Sequence, residues 1–148
     1  MRRCLRLISL FLLLCPALCQ AEEKTEEYSL YIQARGREFT GIWMMNETPD
    51  SCMVGTVMNE FGVKAFDFVY NGRKARLLNM NAFLDKWYIK KVLKKDISFI
   101  VPRLSGHQDQ SEKKRRITFH EDGEIVVMNE KYKIQYIFTP MPDNNETD

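Results

Sequence analysis

The sequence predicts a mainly β protein in which a curved antiparallel sheet of about eight strands forms an incomplete barrel, with one helix as its lid. Three observations predict this class. Apolar segments of strand length recur along the chain, turn residues separate them, and a single amphipathic segment follows the first five. The candidate strands are residues 28–34, 38–45, 51–58, 63–70, 74–80, 116–120, 124–129 and 132–138.

The chain begins with a segment typical of an export signal. Arginines within residues 1–6 precede an almost wholly apolar stretch at 7–14, and small residues follow near Ala21. Two kinds of processing are consistent with this pattern. Cleavage of a signal peptide at 1–21 leaves a soluble protein of 127 residues, whereas a lipid on Cys19 anchors the protein to a membrane. We therefore expect an exported protein of the periplasm or outer membrane.

Removal of the signal changes the charge and the cysteine count. The rest of the chain holds 19 Lys and Arg against 20 Asp and Glu, and this balance does not favour nucleic-acid binding. Only Cys52 remains of the four cysteines. An internal disulfide and a cysteine-cluster zinc site are therefore excluded for the processed chain.

A single domain is expected at residues 28–140. Residues 22–27 are charged enough to predict a flexible leader, and residues 141–148 predict a disordered tail. Within the domain, the NG pair at 71–72 and the DG pair at 122–123 favour hairpins between antiparallel neighbours. A long polar stretch at 102–115 predicts a mobile loop.

One helix is expected at residues 81–95, because Asn81 is a favourable N-cap and the closing lysines suit the negative end of the helix dipole. Residues 96–101 either extend this helix or form a short strand. The predicted apolar face consists of Phe83, Leu84, Trp87, Ile89, Val92 and Leu93. The largely opposite, basic side consists of Lys86, Lys90, Lys91, Lys94 and Lys95.

The strand predicted at 63–70 carries apolar residues on both faces. Phe66 and Phe68 share one face, and Ala65 and Val69 share the other. Since one helix covers only one side of a sheet, the sheet is expected to curve around its own apolar interior. A barrel of about eight strands is either filled by side chains or holds one small ligand. The 16 aromatic residues and 7 methionines of the processed chain favour a ligand.

The order of these segments is similar to that of the LolA/LolB-like proteins, the lipoprotein-localisation carriers and receptors of Gram-negative envelopes. A meander containing MNEFGVKAFDF at 58–68 precedes a hairpin, ARLLNMNAFLDKW at 75–87, a helix and returning strands. The resemblance covers about residues 28–138. It implies an incomplete barrel with an apolar concave face and a helical lid, which binds acyl chains.

We therefore expect an envelope protein that binds lipid or lipoprotein acyl chains in an apolar cavity, with a role in lipid or lipoprotein transport or outer-membrane localisation. Exposing an acyl chain of about 15 methylenes to water costs roughly 12 kcal/mol, so a carrier must enclose the chain. The expected lining residues are Trp43, Met45, Met58, Phe61, Phe66, Phe68, Leu78, Met80, Phe83 and Trp87. The alternative is a non-enzymatic envelope scaffold or protein-interaction domain with a solid core.

Catalytic and metal-binding patterns are weak in this chain. His107 and His120 have no metal-ligand spacing, and Cys52 has no recognisable base partner. Asp67 is expected to face away from its phenylalanine neighbours and to pair with a basic residue on the next strand. We expect no enzyme activity, no metal and no cofactor.

Two groups of basic residues bear on which partners the protein binds. The five helix lysines and KKRR at 113–116 are suited to anionic lipid head groups, although a solvated surface also explains them. We expect lipid or an acylated lipoprotein as the partner, no nucleic acid, and a monomeric protein.

Overall fold

The computed structural model describes residues 24–106 and 108–142, which form nine strands and one helix. The mainly β class is confirmed. Residues 110–112 lie in the stretch predicted to be a loop. They pair with the strand that follows them and so form a ninth strand. The strands are β1 (Glu26–Ala34), β2 (Arg37–Glu47), β3 (Met53–Asn59), β4 (Lys64–Tyr70), β5 (Ala75–Leu78), β6 (Gln110–Glu112), β7 (Arg115–Phe119), β8 (Ile125–Asn129) and β9 (Ile134–Pro140), and the helix α1 is Trp87–Leu104.

All the strands belong to one antiparallel sheet in the order β5-β4-β3-β2-β1-β9-β8-β7-β6. Over the described residues the two edges, β5 and β6, do not pair, so the sheet is open. Short turns connect each strand to its neighbour within the two runs β1 to β5 and β6 to β9. Gly72 and Gly123 adopt positive φ in the predicted NG and DG turns, where glycine avoids the steric cost of that conformation. Turn chemistry therefore determines most of the connectivity.

The sheet curves around the helix. Ser98 Oγ accepts a hydrogen bond from the Ala75 N–H on β5 at 2.7 Å, while Asp96 Oδ1 accepts one from Arg115 Nε on β7 at 2.6 Å. In a flat sheet, seven strand spacings of about 4.8 Å would separate β5 from β7 by roughly 34 Å. Asp96 and Ser98, only two positions apart on the helix, reach both strands, so the opposite halves of the sheet must bend towards α1.

The core lies between α1 and the concave face of the sheet. The Trp43 ring packs 4.5 Å from the Phe68 ring and 5.3 Å from the Phe138 ring, measured between centroids. Gly55 is required beside them, because a Cβ there would lie 2.2 Å from the Phe68 ring. The predicted alternation of β4 is confirmed: Phe66 and Phe68 are buried, and Asp67 lies on the opposite face.

The helix begins later than predicted. Asn81 starts an isolated turn, in which its carbonyl oxygen accepts from the Leu84 and Asp85 N–H groups. Lys86 is then extended, with φ −109° and ψ 136°, so the helix starts only at Trp87. It continues through residues 96–101 to Leu104, because the apolar side chains of this half are buried. Of the two alternatives for residues 96–101, extension of the helix is confirmed, whereas the predicted start at residue 81 and the predicted loop from residue 102 were wrong.

A buried polar cluster fixes the helix on the sheet. Asp96 is 1% exposed, and its Oδ1 accepts from Arg115 Nε at 2.6 Å and from Asn129 Nδ2 at 2.7 Å. Its Oδ2 accepts from the Tyr136 hydroxyl at 2.7 Å. These partners lie on β7, β8 and β9, so one carboxylate joins α1 to three neighbouring strands. We call these four residues the Asp96 cluster.

The domain boundaries differ slightly from the prediction. β1 begins inside the predicted flexible leader, because Glu26 and Glu27 pair with Met45 and Met44 on β2. The predicted signal peptide, the candidate lipidation site Cys19, His107 and most of the predicted tail lie outside the described residues. The single helix of the described residues is not both long and apolar enough to cross a bilayer.

Asp96→Ala should lower the free energy of unfolding by about 3 kcal/mol, because it leaves Arg115, Asn129 and the Tyr136 hydroxyl without their acceptor. Urea unfolding followed by circular dichroism measures the change. Asp85→Ala is the matched control. It removes an exposed ion pair with Lys90 and should cost less than about 1 kcal/mol. Equal effects of the two substitutions would contradict the central role of Asp96.

The Asp96 cluster also predicts sensitivity to alkaline pH. Burial, together with the Asp96 charge and hydrogen bond, raises the pKa of Tyr136 well above its ordinary value of 10.0. The stability contributed by the neutral hydroxyl is therefore complete below about pH 10 and is lost as the pH rises towards the folded-state pKa. Between about pH 9 and about pH 11, the free energy of unfolding should fall more in the wild type than in Tyr136→Phe. Parallel curves would contradict this assignment.

Candidate functional site

The ten residues predicted to line a cavity occupy three environments. Trp43, Met45, Phe66 and Phe68 are fully buried in the core. Met58 and Met80 are half-buried, and they lie on β3 and directly after β5. Phe61, Leu78, Phe83 and Trp87 are exposed. The structure thus brings together the first four as a packed core and places the last four at the surface.

The exposed members gather at one end of the sheet. β3 ends and β4 begins on either side of the turn that carries Phe61. Leu78 pairs with Asp67, so antiparallel β5 ends opposite the middle of β4 and runs towards the start of β4. The segment 79–86 and the start of α1 follow from there. We call the exposed apolar side chains at this end the aromatic rim, which consists of Phe61, Val63, Leu78, Phe83, Trp87 and Tyr88.

The Phe61 turn is held in a defined conformation. Asn59 Oδ1 accepts from the N–H groups of Phe61 at 3.0 Å and Val63 at 2.8 Å. Gly62 completes the turn with φ +77°, a conformation that side chains with a Cβ adopt at a steric cost. Phe61 is nevertheless 82% exposed. The turn therefore holds an aromatic ring in solvent, where it has no packing role.

The segment between β5 and α1 presents the second part of the rim. The Asn81 N–H donates to the Ala65 carbonyl at 2.8 Å, which fixes the segment to the start of β4. Met80 and Leu84 pack partly against the core, whereas Phe83 is exposed. Trp87 is 74% exposed, and its ring makes an edge contact with the neighbouring Tyr88 ring, with 6.0 Å between centroids. Phe66, Phe68 and Trp87 therefore do not pack together.

Asp67 has a structural role beside the rim. Its carboxylate accepts from Thr56 at 2.7 Å, Lys64 at 2.9 Å and Asn79 at 2.6 Å. Partial burial acts to raise the pKa of this carboxyl, but the hydrogen bonds from Asn79, Lys64 and Thr56 hold the pKa below its ordinary value. The basic partner lies on the same strand, β4, rather than on a neighbouring strand as expected. Through Asn79, Asp67 fixes the start of the segment that carries Phe83.

The helix lysines predicted to contact a membrane lie either near the aromatic rim or further along α1. Lys86, Lys90, Lys91, Lys94 and Lys95 are all exposed. Lys90 pairs with Asp85 at 2.6 Å. The first three lie within the first turns of the helix or directly before it, next to Trp87 and Tyr88.

Sequence reasoning did not include Val63 and Tyr88 among the site residues. Val63 follows the glycine of the turn and was assigned to the start of a strand, which predicts pairing rather than exposure. Tyr88 lay inside the predicted helix, off its predicted apolar face. If the helix had been predicted to start at Trp87, Trp87 and Tyr88 would both have been placed in its exposed first turn.

Two further observations bear on chemistry and on relatives. Within residues 24–106 and 108–142, no three His, Cys, Asp or Glu side chains come together as metal ligands. Comparison of the chain with models of protein families and with curated proteins gives no match.

The core and the rim should differ sharply in stability measurements. Phe68→Ala should lower the free energy of unfolding by about 3 to 5 kcal/mol, because it leaves a cavity beside Trp43. Phe61→Ala and Trp87→Ala should each change it by less than about 0.5 kcal/mol, because both side chains are exposed. Urea unfolding measures all three. A large loss on changing either rim residue would show that the rim supports the fold.

Proposed function

We propose that this chain is an exported envelope protein that binds lipid or lipoprotein acyl chains, with a role in lipid or lipoprotein transport or outer-membrane localisation. The observation that carries the proposal is the aromatic rim. Three large aromatic rings, those of Phe61, Phe83 and Trp87, face solvent at one end of a well-packed domain. Monomeric proteins rarely expose such a surface unless it binds something.

The energetics suit an acyl ligand. Burying one large apolar side chain contributes about 1.5 to 3 kcal/mol, so contact with three rings contributes on the order of 5 kcal/mol. An acyl chain needs several such contacts, because each of its methylenes costs about 0.8 kcal/mol in water. Tyr88 and Trp87 also carry a polar edge, which suits the boundary between hydrocarbon and water.

The shape of the sheet supports the same proposal. Its curvature and its single helix are what this proposal requires of an incomplete barrel with a lid. In this proposal the acyl chain lies against the rim and enters beside the half-buried Met80, Leu84 and Leu93, which cover the core near β4 and β5. The region around Trp43 is filled by Phe68 and Phe138 and contributes a rigid wall.

A scaffold or protein-interaction domain is the second candidate, and the packed core favours it. Trp43, Phe68 and Phe138 fill the interior between them, as expected of a domain that holds no ligand there. In that case the rim binds another protein rather than an acyl chain. The two candidates differ in whether the purified protein takes up lipid.

Lipid binding is tested with the intact processed protein. Organic extraction followed by mass spectrometry should recover bound lipid, and a fluorescent fatty acid should bind the delipidated protein. Phe61→Ser should weaken binding of the fatty acid about tenfold, through the lost burial of one ring. Met141→Ser is the matched control, since Met141 is an exposed apolar side chain at the opposite end of the sheet.

The fluorescence of Trp87 gives a second readout. Trp43 is buried and Trp87 is exposed, so lipid at the rim should shift the Trp87 emission to shorter wavelength. Trp87→Phe should abolish the shift. Absence of extracted lipid, fatty-acid binding and any emission shift would refute the lipid proposal and leave the scaffold candidate.

A further inference from the structure

Three turns at the rim end of the sheet carry a group of basic side chains. The turns are residues 35–36, between β1 and β2, residues 113–114, between β6 and β7, and residues 130–133, between β8 and β9. We call them the basic turns, and their exposed basic residues are Arg35, Lys113, Lys114, Lys131 and Lys133.

Pairing between strands places these turns side by side. Ala34 pairs with Ile134, so the first and third turns are neighbours. Arg115 pairs with Asn129, and the Glu130 N–H donates to the Lys114 carbonyl at 2.9 Å, which joins the second and third. The Phe61 turn lies at the same end, because the end of β3 pairs with the first half of β2. Basic and aromatic side chains therefore share one end of the sheet.

The backbone of these turns shows that the basic residues occupy unfavourable positions. Arg35, Lys113, Lys114 and Lys133 have φ of 50°, 48°, 63° and 55°. This left-handed region favours glycine or asparagine, and two-residue hairpins normally place those residues there. At the opposite end of the sheet, Gly72 and Gly123 occupy positive φ in the turns that follow β4 and β7. Six described residues other than glycine have positive φ; four of them are in the basic turns, and the other two are Ser51 and Asn79. The concentration of this strain on the basic residues of one end indicates a functional reason for them.

The charges of the basic turns are largely unpaired. Within the described part of the chain, Arg35, Lys114, Lys131 and Lys133 form no ion pair. Lys113 lies 3.5 Å from Glu112, but this carboxylate also pairs with Arg103 at the shorter distance of 2.8 Å. These four cations are therefore available to an anionic partner outside the chain.

From these observations we infer that the basic turns bind the phosphate head groups of an anionic phospholipid bilayer, while the aromatic rim enters its outer layer. A bilayer fits this surface because it offers negative charge and apolar contact in one plane. Aromatic side chains with polar edges favour the membrane interface, and basic residues favour an anionic leaflet. A nucleic acid would use the charge but would leave Phe61 and Val63 in solvent.

An open depression beside the turns gives a head group a place to bind. It has a volume of about 360 Å³, and the residues that line it include Arg35, Lys133, Gln33 and Gln135. Guanidinium, ammonium and amide N–H groups are donors to phosphate oxygens. Glu130 at its edge lies 3.7 Å from Arg116, which offsets its negative charge.

This inference concerns the surface that the protein contacts, and it does not depend on whether an acyl chain is carried. Binding to vesicles and binding of a free fatty acid are measured separately, so one proposal can fail while the other stands.

Sedimentation with vesicles tests the inference in the intact processed protein. The protein should bind vesicles that contain phosphatidylglycerol and release them at high salt, and it should bind phosphatidylcholine vesicles weakly. Lys113→Glu with Lys114→Glu should weaken binding about 25-fold or more, since each basic residue near the surface contributes about fivefold. The matched control is Arg73→Glu with Lys74→Glu, which makes the same change of charge in a turn at the opposite end and should have little effect.

A second variant separates binding from folding. Lys113→Asn with Lys114→Gly supplies the residues that this turn geometry favours, so it should raise the melting temperature while still weakening vesicle binding. Equal vesicle binding by this variant and the wild type would overturn the inference. So would equal losses in the two double-glutamate variants, or binding to a DNA oligonucleotide that replaces binding to vesicles.

Discussion

The Asp96 carboxylate is the constraint on which the rest of the structure depends. It lies in the middle of α1 and receives hydrogen bonds from β7, β8 and β9, while Ser98 receives one from the far edge strand β5. One helix satisfies both sets of partners only if the sheet curves around it. A buried carboxylate without its donors is costly, so these contacts fix the curvature of the sheet and the position of the helix together.

The position of the helix then determines which apolar residues are covered. Its second half lies within the curve of the sheet and carries the buried residues Ile97, Phe99, Ile100, Val101 and Leu104. Its first turn extends beyond the core, and Trp87 and Tyr88 remain in solvent. The aromatic rim is therefore a consequence of where α1 is held. The turns that carry Phe61 and the basic residues leave the same end of the sheet, so one surface combines apolar and cationic side chains.

The packed interior and the exposed rim have different consequences for a lipid ligand. Trp43 is enclosed by aromatic rings, although its Nε1 has no hydrogen-bond partner among the described residues. Filling the interior in this way gives stability and a rigid wall. The lipid contact that we propose is then concentrated near Met80 and Leu84, where side chains are only half-buried. A domain of this kind combines a stable core with an adaptable apolar edge, which suits transient contact with acyl chains or a bilayer.

The sequence by itself determined the antiparallel strands, most of the turns, the opposite faces of Phe66 and Asp67, and the presence of one helix. These features follow from local rules, since strand alternation and turn chemistry act over a few residues. The tertiary structure alone decided the start of α1, the extra strand β6 and the exposure of Phe83 and Trp87. Tertiary contacts join residues distant in sequence, as in the Asp96 cluster, where Asp96 and its partners are 19, 33 and 40 positions apart. Hydrophobic periodicity identifies an apolar residue, but only such distant contacts decide whether that residue is buried in the core or exposed to solvent.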